Sequence, residues 1–122
     1  MKIRILGNSV RFRLTRSEVN TLCTKGYIKN QTTFKTNVFT YAVRMVTDSE
    51  KLNAQFRDNT ITLNLPQALG VNWHKTDQVG FSETIDLTNN GNLSLLLEKD
   101  FACLDVREED QSDNYPNPKG LL

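Results

Sequence analysis

The sequence predicts an α+β domain, a mainly antiparallel curled sheet or partly open β-barrel of about seven or eight strands with two short helices. Three observations predict it. Short runs of strictly alternating apolar and polar residues recur along the chain, Gly, Asn and Asp pairs suited to tight turns separate many of them, and two places carry helix-starting chemistry. At 122 residues the chain fits one domain, with length enough for a core and too little for two. The expected division is a single domain over residues 1–110 and an acidic, proline-containing tail over residues 111–122.

Residues 2–6 and 9–14 alternate on either side of Gly7-Asn8, where Gly supplies positive φ and Asn tolerates it, so the opening reads as a hairpin. The period-two rule places Ile3, Ile5, Val10, Phe12 and Leu14 on one face and Lys2, Arg4, Arg11 and Arg13 on the other. Thr15-Arg16-Ser17-Glu18 is a capping box. The helix it starts carries Val19, Leu22 and Cys23 at helical spacing and ends at Lys25-Gly26.

Residues 27–35 form a weak, polar strand suited to an edge, whereas residues 38–46 are apolar on both faces and read as a central strand. Leu52, Ala54 and Phe56 alternate inward, and Asp58-Asn59 turns the chain into a strand with Ile61, Leu63 and Leu65 inward. Pro66 opens a second short helix expected to carry Ala68, Leu69 and Trp73 inward. Residues 79–87 and 92–98 flank Asn89-Asn90-Gly91 as a third hairpin, which residues 101–104 continue through a bend at Lys99-Asp100. Pro116 and Pro118 forbid regular structure in the tail. No internal repeat is legible.

The hydrophobic fraction of 38% and charged fraction of 24% exclude a collagen-like, disordered or disulfide-scaffold chain. No apolar run approaches the roughly 18 residues of a membrane span, and residues 1–5 alternate where a signal peptide is continuously apolar. Cys23 and Cys103 stand far apart in dissimilar contexts, as free thiols in a reducing compartment do. The expected location is therefore cytoplasmic. The net charge of +1 conceals an asymmetry: residues 1–46 hold nine basic side chains against one acidic, and the remainder holds six against thirteen. Either a basic surface awaits an anionic partner or the two halves neutralise each other in the fold. A near-neutral total argues against a nucleic-acid partner.

The basic hairpin face is the candidate site, because four cations on adjacent strands repel unless something anionic lies against them. Arginine suits this role, its planar fork matching phosphate or carboxylate bidentately. If a curled sheet turns its charged face into a cavity, Arg4, Arg11, Arg13 and Arg44 are the expected ligand-binding residues. The plainer reading pairs Lys2, Arg4, Arg11 and Arg13 with Glu83, Glu98, Asp100 or Asp105, or leaves them in solvent. The expected function is thus a non-enzymatic binding domain for an anionic small molecule or a protein partner, without cofactor, metal or membrane. The enzymatic alternative acts on phosphorylated substrates held by the arginines, with a divalent metal on Glu83 or Glu98. Glu83 shares strand parity with Phe81 and Ile85, and a bulge at Ser82 is expected to turn it outward, since burying an unpaired carboxylate is costly.

His74, the only histidine, reads as a partly exposed residue at the end of a short helix. No ligand-like spacing links it to Cys23 or Cys103, and Cys103 reads as a buried thiol. P-loop, G-x-G-x-x-G and G-x-S-x-G signatures are missing.

The blocks I-R-I-L-G-N-S-V-R-F-R-L-T-R-S-E-V (residues 3–19), E-K-D-F-A-C-L (residues 98–104) and D-N-Y-P-N-P (residues 113–118) resemble those shared by a family of short uncharacterised bacterial proteins. The resemblance spans nearly the whole chain. It implies a bacterial, cytoplasmic, single-domain protein and carries over no activity. A remoter architectural likeness is to the triphosphate-tunnel enzymes, whose charged antiparallel barrel binds a triphosphate with a metal. Their opening E-x-E-x-K pattern is replaced here by Lys2-Ile3-Arg4-Ile5-Leu6, which removes the expected metal ligands.

Overall fold

Alternating runs become eight strands and the two helix-starting segments become helices in a computed structural model, which describes residues 1–102 and 112–116. The expectations on Cys103, Asp105, the boundary between residues 110 and 111, and Pro118 lie outside the described residues. One sheet has the order β1 (Lys2–Ile5), β2 (Ser9–Leu14), β8 (Asn92–Lys99), β7 (Gly80–Asp86). The other runs β3 (Tyr27–Thr33), β4 (Val38–Val46), β6 (Thr60–Pro66), β5 (Asn53–Arg57). Helix α1 is Arg16–Lys25 and α2 is Gln67–Gly70. The class is α+β and mainly antiparallel, as the pattern predicts, but the strands form two sheets and no closed barrel. In each sheet the two central strands, β2 with β8 and β4 with β6, run parallel.

The turns follow their residue types. The Leu6 amide donates to the Ser9 carbonyl at 3.1 Å, leaving Gly7-Asn8 as a two-residue loop with Gly7 at φ 55°. Asp58 and Asn59 both take positive φ, 53° and 57°, which is the hairpin turn whose twist matches its strands. The capping box closes in both directions, Thr15 N donating to Glu18 Oε1 at 2.9 Å and Glu18 N to Thr15 Oγ1 at 3.4 Å. Gly26 ends α1 in the left-handed conformation at φ 79°.

The topology contains a repeat that the residue types hide. Each half of the chain runs strand, strand, helix, strand, strand, and each sheet takes its first pair from one half and its second pair from the other. Setting the helix N-cap Thr15 against the N-cap Pro66 places Leu14 on Leu65. The two parallel registers, Leu14 with Lys99 and Leu65 with Met45, then place Lys99 on Met45. Two backbone hydrogen bonds repeat the match: Lys99 N donates to Val79 O and Met45 N donates to Gly26 O, both at 2.9 Å. Leu22 falls on Trp73 under the same alignment, and both are buried.

The sheets meet through Phe12, Leu14, Val43, Leu63, Leu65, Leu95 and Leu97, with the Phe12 ring set edge-on to Tyr41 of the opposite sheet at 6.1 Å. Helix α1 packs on β3 and β4 and buries Val19 and Leu22.

Three inward expectations are corrected. Ala68 and Leu69 face solvent, because the four-residue α2 seats Gly70 against Leu65 and Met45, where a Cβ would collide. Trp73 is buried, as expected, but on the following 3-10 turn Trp73–Lys75. Phe56 lies at the end of edge strand β5 and is 71% exposed. The expected bulge at Ser82 does not form either: β7 and β8 pair without interruption from Gly80 with Glu98 to Asp86 with Asn92. Glu83 therefore keeps the parity of Phe81 and Ile85, and it is half-buried opposite Leu95.

Candidate functional site

Lys2, Arg4, Arg11 and Arg13 share the outer face of the first sheet, since the residues that alternate with them in β2, Phe12 and Leu14, occupy the core side. Direct registry sets Lys2 across from Arg13 and Arg4 across from Arg11. The acidic half of the chain enters through the parallel neighbour β8. Glu98 stands opposite Arg13, accepts from its Nε at 2.9 Å through Oε1, and pairs with Arg11 through the same oxygen, 3.4 Å from Arg11 Nε. Asp100, 4% exposed, places Oδ2 3.2 Å from Lys2 Nζ. One end of the basic face is thus internally neutralised, and the two arginine pairs, whose guanidinium ends stay partly in water, contribute about 0–1 kcal/mol each.

The other end differs. Arg4 and Arg11, with Leu6 and Ser9, line a shallow cleft of about 250 Å³ at the hairpin tip. Arg4 is exposed, and no carboxylate meets it among the described residues. Arg44 does not join this group. It belongs to β4 in the second sheet, where its Nη2 donates to Asn64 Oδ1 at 3.3 Å, and Asn64 in turn donates to Asn53 at 2.8 Å. Three of the four expected arginines are therefore brought together. Glu83 and Glu98 fall on opposite faces of one sheet and do not converge. Among the described residues no group of three or more His, Cys, Asp or Glu could hold a metal ion.

A second constellation escapes the sequence reading. Lys99 sits at the core-facing parity of β8, after Leu93, Leu95 and Leu97, and is only 4% exposed. Its Nζ donates to the Thr76 carbonyl at 2.6 Å and lies 4.9 Å from the Tyr115 ring centroid and 5.9 Å from that of Trp73. It makes no ion pair within 4.0 Å among the described residues. Burial holds its ammonium below the usual lysine range, against the opposing pull of Asp77 and Cys23. The parity itself was the available signal: Leu93, Leu95, Leu97 and Lys99 form one alternating set, which an assumed bend at Lys99-Asp100 conceals.

The tail completes this place. Asp113 receives the Ser17 hydroxyl at 2.5 Å and the Ser17 amide at 3.3 Å, in the first turn of α1, and its carbonyl accepts from Arg16 N at 3.0 Å. From that anchor Tyr115 runs beside Phe101 as a parallel bridge, with Tyr115 N donating to Asp100 O at 2.8 Å and Tyr115 O accepting from Ala102 N. The Arg16 guanidinium lies 5.4 Å from the centroid of the Tyr115 ring. Tyr115 and Pro116 thereby become one wall of a cleft of about 430 Å³, with Lys99, His74, Asp77 and Val79 around it.

A family model described as a family of unknown function (DUF7009) matches residues 1–119. The chain belongs to that family. The match covers both the basic hairpin and the Lys99 cleft of this family member. No curated protein and no solved structure matches it. Among its described residues no helix is long and apolar enough to cross a membrane.

Proposed function

We propose that the protein is a non-enzymatic binding domain that recognises an anionic ligand through the tip of its basic hairpin, at Arg4 and Arg11. The observation that carries the reading is the contrast along one face: Glu98 pairs with Arg13 and, more distantly, with Arg11, and Asp100 pairs with Lys2, while Arg4 stands across from Arg11 with no carboxylate of its own among the described residues. Two guanidinium groups on adjacent strands offer parallel N–H donors to a phosphate or carboxylate, and Ser9 adds a hydroxyl in the same cleft. The anion relieves a like-charge repulsion that the fold otherwise retains.

The free Cys23 thiol supports placing this function in a reducing compartment, and with the resemblance to bacterial proteins the reading is a bacterial cytoplasmic one. A thermal-shift titration with inorganic phosphate and pyrophosphate tests it. Binding to the folded state raises Tm by mass action, with a stabilisation of about 2.7 kcal/mol at a hundred times Kd. Arg4→Ala and Arg11→Ala should each abolish the shift; the melt without ligand should be unchanged for Arg4→Ala and change by no more than about 1 kcal/mol for Arg11→Ala, which loses its pair with Glu98. A shift that survives both substitutions places the anion elsewhere, and no shift with either anion removes the reading.

A further inference from the structure

We propose that the cleft over Lys99 is a second ligand site, taking a small aldehyde with an apolar or aromatic body that the Lys99 amine captures as an imine. Four observations converge there. Lys99 occupies a core-facing position whose counterpart in the other half is Met45, so the fold accepts an apolar side chain at this place and the amine is not required by packing. A buried ammonium without a carboxylate partner is costly, and one carbonyl and two aromatic rings are what this one has. The cleft of about 430 Å³ falls within the usual size of small-molecule sites, and Val79, Phe101, Tyr115 and Pro116 give it apolar walls. His74 lines the same cleft, and its buried Nδ1 meets no hydrogen-bond partner among the described residues.

The chemistry follows from the amine. Desolvation raises the share of neutral Lys99 at a given pH, and the neutral form carries the lone pair a nucleophile needs. That lone pair adds to the carbonyl carbon, a C–N bond forms, and the proton moves from nitrogen to oxygen. Loss of water from the carbinolamine leaves the C=N bond. No electrons are exchanged with a third party. The site is independent of the arginine tip, which lies on the opposite face of the same sheet.

Reductive labelling of the intact protein decides the matter. Benzaldehyde with cyanoborohydride at neutral pH converts any imine to a stable secondary amine, and peptide mass mapping reads the rate at each lysine. Lys99 should be modified several-fold faster than the exposed Lys25 and Lys51, because the cleft holds the aldehyde against an amine that burial keeps more often neutral. Its preference over those lysines should be larger with benzaldehyde than with formaldehyde, because only the former fills the apolar walls. Lys99→Met should remove the fast phase alone. Should that variant not fold, the labelling profile of the unaltered chain still decides. Modification of Lys99 no faster than of Lys25 and Lys51, or a preference no greater with benzaldehyde than with formaldehyde, overturns the proposal.

Discussion

Lys99 occupies in the second half of the chain the place that Met45 occupies in the first: each lies at the C-terminal end region of a central strand, pairs in parallel with a buried leucine, and donates its amide to the carbonyl of the residue just before the neighbouring strand. The comparison turns a buried lysine into a testable cost. Lys99→Met is expected to stabilise the fold at pH 7, by about 1–4 kcal/mol if it behaves like other replacements of buried ionic groups by apolar ones of similar volume. The pH dependence sharpens this. The folded-state pKa lies below the ordinary value of 10.5, so between the two the unfolded chain binds the additional proton and the protein gains stability as pH rises. Tyr115 acts oppositely at higher pH, since burial raises its phenol above 10.0 and the folded form there holds the additional proton. Urea melts of both proteins from pH 7 to about 9.5 should show the advantage of Lys99→Met shrinking as pH rises. Parallel curves would contradict the assignment.

Glu98 is the carboxylate that competes with any external anion, because Arg11 and Arg13 both point their Nε at its Oε1. Glu98→Gln frees two partly exposed guanidinium groups for a loss of about 1 kcal/mol per pair. Phosphate affinity at the hairpin tip should rise several-fold, with a steeper dependence on salt. Isothermal titration at two ionic strengths measures both, and an affinity that is unchanged or lower would show that the outer face does not take anions.

What the sequence discloses is the chemistry that acts within a few residues. Gly7-Asn8, Asp58-Asn59 and the Thr15–Glu18 box each form as their residue types dictate, because turn and cap geometry are decided by φ preferences and side-chain reach. The parallel pairs are of another kind. Arg13 meets Glu98 across 85 positions, and nothing in either strand's alternation names its neighbour; the pairing is selected by the whole core. The paired halves of the charge asymmetry did point to it, since Glu98 and Asp100 are among the acids expected to face the hairpin. Arg44 departs from its expected cluster for the same reason, as its partner Asn64, held in turn by Asn53, is set by a sheet assembled from both halves. Glu83 needs no bulge to avoid an unpaired burial, because its edge strand leaves a half-buried carboxylate access to water.

Asp113 ties the tail to α1, and its carboxyl is held below the ordinary 3.8 chiefly by the Ser17 hydroxyl, with Thr15 and the Ser17 amide adding to it. A depressed carboxylate contributes stability that is present above the ordinary value and is lost as pH falls through the folded one. Asp113→Asn should therefore release the tail, costing about 0.5–1 kcal/mol as the first turn of the helix loses its anion. Limited proteolysis after residue 102 gives the readout: faster cleavage at pH 7 in the variant, and in the parent only below about pH 3.8. Equal cleavage of the two proteins at pH 7 would show that Tyr115 holds the tail without it.

Gly80 faces Glu98 across β7 and β8 so closely that a Cβ would collide with the Leu97 carbonyl and the Glu98 Cα. Backbone cannot yield as a flexible side-chain end does, so Gly80→Ala has to push the strands apart. Overpacking of this kind costs about 1–3 kcal/mol. The displacement falls where Glu98 holds Arg11 and Arg13 and one residue from Lys99, so both candidate sites should respond: tighter phosphate binding at the tip and slower, less selective labelling of Lys99. Denaturation midpoint, phosphate titration and the lysine map read the three effects on one variant. A lowered midpoint with both sites unaltered would show that Gly80 serves the sheet alone.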